Sequence, residues 1–111
     1  MRDDKGRIQD ILDAISCIEK YTSKGGVSDR EDELVETWVI HHLQIIGEAA
    51  RGLSKSLQKK YKGVPWAEIV GMRNILVHHY FGIETDEVWS TIENDLPDLK
   101  RKIFTILKAL K

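Results

Sequence analysis

Apolar residues recur along this chain at intervals of three and four. Ile8, Ile11, Leu12, Ile15 and Ile18, with Tyr21 beyond, trace one stripe, a spacing that gathers side chains on one face of an α-helix. Lys24-Gly25-Gly26 ends it, because glycine takes up the turn past a helix C-terminus without steric cost. Ser28-Asp29-Arg30-Glu31 then reads as a capping box, in which hydroxyl and carboxylate satisfy free backbone donors of a new helix. Its apolar positions are Leu34, Val35, Trp38, Val39, His42, Ile46, Ala49, Ala50 and Leu53, enough for a long helix of about six turns. Within it, Gly47-Glu48-Ala49-Ala50 is small enough to admit a neighbouring helix at close range.

A short basic helix is predicted from about Ser54 to Tyr61, broken by Lys62-Gly63-Val64-Pro65. Pro65 suits the first position of the next helix, which carries Trp66, Ile69, Val70, Met72 and Leu76 and closes at Phe81-Gly82. Thr85 is the expected cap of a last segment with Asp86 and Glu87 in its first turn. Val88, Ile92, Leu96, Leu99, Ile103, Ile106, Leu107 and Leu110 form its stripe, and Pro97 should kink or divide it. Nothing alternates with the period of two that a strand requires. The expected fold is all-α, an antiparallel four- to five-helix bundle that fills residues 1–111 as a single domain.

Composition narrows the function classes. Charged residues make up 32% of the chain and hydrophobic residues 41%, which suits a soluble domain with a heavily charged surface. The N-terminus has no apolar run behind it, and no stretch approaches a bilayer-spanning length, so neither a signal peptide nor a membrane anchor is expected. The lone Cys17 cannot pair within the chain and reads as a small buried apolar residue of a cytoplasmic protein. The net charge of -1 conceals segregation. Residues 51–62 carry Arg51, Lys55, Lys59, Lys60 and Lys62 with no acid, whereas residues 84–98 carry Glu84, Asp86, Glu87, Glu93, Asp95 and Asp98 with no base. Indiscriminate, charge-driven nucleic-acid binding is excluded, but a local basic groove is not.

One run holds the chemistry: Gly71-Met72-Arg73-Asn74-Ile75-Leu76-Val77-His78-His79-Tyr80-Phe81. Arginine offers a permanent planar cation that fits phosphate oxygens two at a time. Histidine moves a proton near neutral pH. Tyrosine adds a hydroxyl that bonds phosphate or accepts a modification. An RNA strand brings its own nucleophile, the 2′-hydroxyl, so these groups can handle its phosphodiester with no metal and no cofactor, and DNA is not the expected substrate. Asn74 lies four residues before His78, on the same helix face, where it can orient the ring. His79 is an alternative to His78. His41 and His42, being adjacent, point to different faces and make a poor metal pair. Trp38, Trp66 and Trp89 fall on apolar positions and read as core or interface anchors.

Geometry constrains the site. On an ideal helix His78 lies about 140° around the axis from Arg73. Three routes bring them together: a long reach by Arg73, distortion near the helix end, or a site shared between two subunits. The shared site is favoured, because a two-fold dimer sets paired arginines and histidines around one cleft. The competing view is that the trio is ordinary surface chemistry.

Arg73-x4-His78-x-Tyr80 is similar to the Arg-x4–6-His-x-Tyr signature of HEPN-domain ribonucleases. The surroundings add to the likeness: Ile45-Ile46-Gly47-Glu48-Ala49-Ala50, then Val64-Pro65-Trp66 and Ile69 through Phe81, then Asp95-Leu96-Pro97. Over nearly the whole chain this pattern resembles the HepT-like toxins of prokaryotic toxin–antitoxin pairs of type VII. The resemblance implies a dimerising helical bundle that acts as a metal-independent RNA endonuclease and leaves 2′,3′-cyclic phosphate ends. It implies an MntA-like nucleotidyltransferase antitoxin as partner, which silences the toxin by transferring AMP to the signature tyrosine. By residue, it implies Arg73 for phosphate stabilisation, His78 for proton transfer and Tyr80 for RNA contact and AMP acceptance. Glu48, in a family-like block, takes a structural or orienting role. The alternative is a non-catalytic subunit that docks a minimal nucleotidyltransferase and binds its substrate or nucleotide, with the acidic and basic segments as docking charge.

Overall fold

The computed structural model describes residues 3–22, 33–78 and 94–110, with the backbone alone for 21–22, 33–36 and 74–78. These residues form five α-helices and no strand: α1 (Asp4–Thr22), α2 (Glu33–Gly52), α3 (Lys55–Lys60), α4 (Trp66–His78) and α5 (Leu96–Ala109). The expected all-α bundle is the fold. The capping box at 28–31, the cap at Thr85 and Trp89 lie outside the described residues.

α1 and α2 run antiparallel. The indole N–H of Trp38, near the start of α2, donates to the carbonyl of Cys17 near the end of α1, at 2.8 Å. At the opposite end Asp4 accepts from the backbone N–H of Ser54 at 2.9 Å and from its hydroxyl at 2.6 Å. The stripe of α1 is the deepest part of the core: Ile8, Ile11, Ile15 and Ile18 are buried, beside Val39, Leu43 and Ile46 of α2 and Ile103 and Ile106 of α5. Ile40 and Leu43 fall outside the predicted stripe of α2, yet both are buried. The reason is that α2 packs against both α1 and α4, so more than one face is removed from water. Cys17 is only half-buried, which corrects the expected core position. Trp38 is half-buried as well, whereas Trp66 is buried and donates its indole N–H to the Tyr61 carbonyl at 3.1 Å.

α3 is too short to hold itself by its own hydrogen bonds. Ser54 caps it, accepting from Leu57 N–H at 3.2 Å while its hydroxyl is held by Asp4. Leu57 is buried, and the Gln58 amide donates to the Leu53 carbonyl at 3.1 Å. Pro65 stands one residue before the first helical position of α4, where its carbonyl accepts from Ile69 N–H at 3.0 Å. Pro97 falls in the first turn of α5, the one place in a helix where its missing donor costs nothing. Lys102 of α5 donates to the Gly63 carbonyl and pairs with Asp98, each at 3.0 Å. The hydrogen bond from Lys102 to Asp98, with Arg101 beside it, holds the Asp98 carboxyl below the usual carboxylate range. No described helix is long and apolar enough to cross a membrane.

Candidate functional site

The site is built where α4 crosses α2. Gly47 is the reason the two helices come so close. A Cβ placed on Gly47 would lie 2.0 Å from the Cβ of Arg73 and 2.7 Å from its Cγ, so any other residue there would push the helices apart. The predicted close approach at Gly47-Glu48-Ala49-Ala50 is therefore real, and its partner is the arginine-bearing helix itself. Nothing comparable surrounds Gly71, where an added Cβ would meet no atom within 4 Å.

The contact at Gly47 fixes the root of the Arg73 side chain, and Glu48 fixes its head. The guanidinium Nη2 pairs with Glu48 Oε2 at 2.8 Å, with 21% of the Arg73 side chain and 57% of the Glu48 side chain exposed. An arginine pinned at both ends loses little further freedom when it meets an anion, and part of it remains in contact with water. The guanidinium presents its donors in a rigid fork matched to phosphate oxygens. Solvent screens the pair, so its direct contribution to stability is small. Its effect is on where the cation sits.

α4 runs on as an α-helix through His78. Distortion ahead of that residue is thereby removed from the three routes that would join Arg73 to His78, leaving a long reach by Arg73 or a shared site. Asn74 and His78 stand four residues apart on α4, and their side chains lie outside the described set. His79 and Tyr80 lie outside it altogether. Of the predicted site residues, the structure therefore brings Arg73 and Glu48 together and leaves the rest undescribed.

His42 is buried, and its Nδ1 lies 2.8 Å from the Trp38 carbonyl, while its ring is tilted against the Trp38 indole at 4.3 Å. It behaves as a satisfied core residue. His41 is exposed. Among the described residues no three His, Cys, Asp or Glu side chains gather as a metal-ligand group.

The sequence marked Gly47 and Glu48 as a block without tying either to Arg73. A separation of about 25 residues gives no register from which that contact can be read. The only local signal is an exposed acid inside a run of small residues.

Comparisons with known proteins converge on one family. Residues 11–106 match the HepT-like family, described as ribonuclease HepT-like. The chain is 35% identical over 103 residues to the putative RNase MJ1380 of Methanocaldococcus jannaschii, covering 92% of this chain and 94% of that protein. It is 34% identical over 108 residues to the probable ribonuclease HepT of Thermococcus cleftensis, covering 96% and 98%. A third relative, the putative RNase TTE0752 of Caldanaerobacter subterraneus subsp. tengcongensis, is 38% identical over 81 residues, covering 73% and 72%. No solved structure matches. With a buttressed arginine on the signature helix and a family match over most of its length, the chain belongs to the HepT-like ribonucleases.

Proposed function

We propose that this protein is a metal-independent RNA endonuclease toxin whose working unit is a two-fold dimer. The observation that carries the reading is the anchoring of Arg73 by Gly47 and Glu48 on the helix that also bears His78. Two copies of α4 facing one another supply two arginines and two histidines to one cleft. One imidazole takes the proton of the 2′-hydroxyl, whose oxygen attacks the adjacent phosphorus. The bond from phosphorus to the 5′ oxygen breaks, and the departing oxygen takes a proton from water. Arg73 balances the charge that builds on the phosphate oxygens, and positioned proton transfer contributes roughly 10²–10⁴-fold. The products are a 2′,3′-cyclic phosphate and a 5′-hydroxyl. Glu48 is a positioning residue, acting through Arg73 rather than on the RNA.

Control comes through Tyr80. An MntA-like nucleotidyltransferase partner transfers AMP from ATP to its hydroxyl, releasing pyrophosphate. The new phosphodiester adds negative charge and bulk two residues from His78, and Arg73 then faces an internal anion in place of substrate. The second reading, a non-catalytic subunit that docks the nucleotidyltransferase, draws on the segregation of acidic and basic segments along the sequence.

Purified protein incubated with RNA in EDTA should yield fragments with 2′,3′-cyclic phosphate ends. Intact RNA, together with firm binding of the nucleotidyltransferase, would favour the docking subunit instead. Incubation with the partner and ATP should add the mass of AMP to the chain, and Tyr80→Phe should abolish that addition. Equal labelling of the Phe variant would move the acceptor elsewhere.

A further inference from the structure

We propose that the face of α3, continued by Lys62, is a track for the RNA backbone that leads away from Arg73. The inference rests on the ribonuclease reading for its ligand, but on different residues and a different observation. Lys55, Gln58, Lys59 and Lys62 line an open groove together with Pro65, Ala67 and Glu68. The three lysines stand at intervals of four and three residues, so the two on the helix share a face, and Lys62 continues the row past its end. All three are exposed, as are Arg51 and Lys60 nearby.

Their charge is unopposed. Several other described cations are matched: Lys100 pairs with Glu19 at 2.8 Å, Lys102 with Asp98 at 3.0 Å, Arg101 with Asp98, and Arg73 with Glu48. Arg51, Lys55, Lys59 and Lys62 form no ion pair in the described structure. Among the described residues Glu68 is the one acid that lines the groove. Gathering like charge on a six-residue helix opposes folding through self-repulsion. The Asp4–Ser54 clasp, the buried Leu57 and the Gln58 amide bond hold it in place nonetheless. An external polyanion relieves that repulsion.

Position and composition select the ligand. Arg51 lies three residues beyond Glu48 on α2, about 4.5 Å further along the axis, so the basic surface begins one turn from the carboxylate that holds Arg73. Gly52 and Ser54 then lead directly into α3. The groove has no exposed large apolar residue to anchor a protein partner: its Trp66 and Val64 are buried, and the exposed Phe104 belongs to α5. Protein interfaces draw their affinity from such anchors. A row of flexible point charges instead suits sequence-neutral contact with phosphates.

The test uses the full chain carrying His78→Ala, so that bound RNA is not consumed, with and without Lys55→Glu, Lys59→Glu and Lys62→Glu together. Binding of a fluorescent single-stranded oligoribonucleotide is followed by anisotropy over a range of salt. Removing three phosphate contacts should flatten the slope of log K against log salt by about 2 and weaken binding on the order of 100-fold at 0.1 M salt. The corresponding Lys→Gln triple variant should flatten the slope equally, and an unchanged circular dichroism melt in either variant shows that the fold persists. With His78 intact, the Glu variant should cleave a dinucleotide, too short to reach α3, as fast as the parent. Unchanged RNA affinity and slope would overturn the track, as would loss of nucleotidyltransferase binding with RNA affinity retained. If the parent binds RNA through these lysines yet cleaves none, the track stands and the ribonuclease reading falls. If the parent binds no RNA, both fall.

Discussion

Replacing Arg73 by alanine should lower RNA cleavage by about 10²–10³-fold, the loss typical when one preorganised donor to a developing anion is removed. The fold should survive. Alanine keeps the Cβ that rests on Gly47, and the carboxylate left behind on Glu48 is more than half exposed, so water takes over its solvation. Arg73→Lys should recover only part of the rate, since an ammonium keeps the charge but loses the planar fork. Initial cleavage rates of a labelled RNA, measured beside thermal melts of each variant, check both halves of the expectation. A fall in melting temperature that tracks the fall in rate would assign Arg73 to structure instead.

Gly47→Ala should be the most damaging single-methyl change in the described structure. Its new Cβ would sit 2.0 Å from the Arg73 Cβ, so α2 and α4 must separate. Overpacking of this kind costs about 1–3 kcal/mol, and the better helix propensity of alanine returns at most about 1 kcal/mol. A loss of about 2 kcal/mol corresponds to a drop of roughly 8–16 °C in the melting temperature of a domain this size. Cleavage should fall as well, because the root of Arg73 moves with α4. Gly71→Ala is the control: its methyl enters open space, so the monomer fold should be unharmed or slightly stabilised. Equal melting temperatures for the two variants would contradict the close crossing of α2 and α4.

Much of this architecture can be read from spacing alone, because a helix that buries one face must repeat its apolar residues every three or four positions. Ile8, Ile11, Ile15 and Ile18 show this in its simplest form, and each is buried as its spacing demands. Leu43 shows where the rule narrows. A helix packed on two sides needs a wider stripe, and which helices flank it is a tertiary fact. Cys17 misleads for a related reason: Ile15 and Ile18 on either side of it are buried, but it lies toward the edge of the stripe. The Asp4–Ser54 clasp joins residues 50 positions apart and leaves no local trace. At the site, residue chemistry and family resemblance together single out Arg73 as a candidate. The structure adds what spacing does not contain, namely that Gly47 and Glu48 hold it.

The central claim is that Arg73 of one copy and His78 of another act on the same phosphodiester, and a mixing experiment tests it directly. Arg73→Ala and His78→Ala proteins are purified separately, each assayed in EDTA, then unfolded together, refolded and assayed again. Each variant alone should be nearly inactive, and the mixture should regain a substantial part of wild-type cleavage, because each heterodimer holds one intact arginine and one intact histidine contributed by different copies. A mixture as inactive as its components, beside an active wild type and with heterodimers demonstrated, would contradict the shared site.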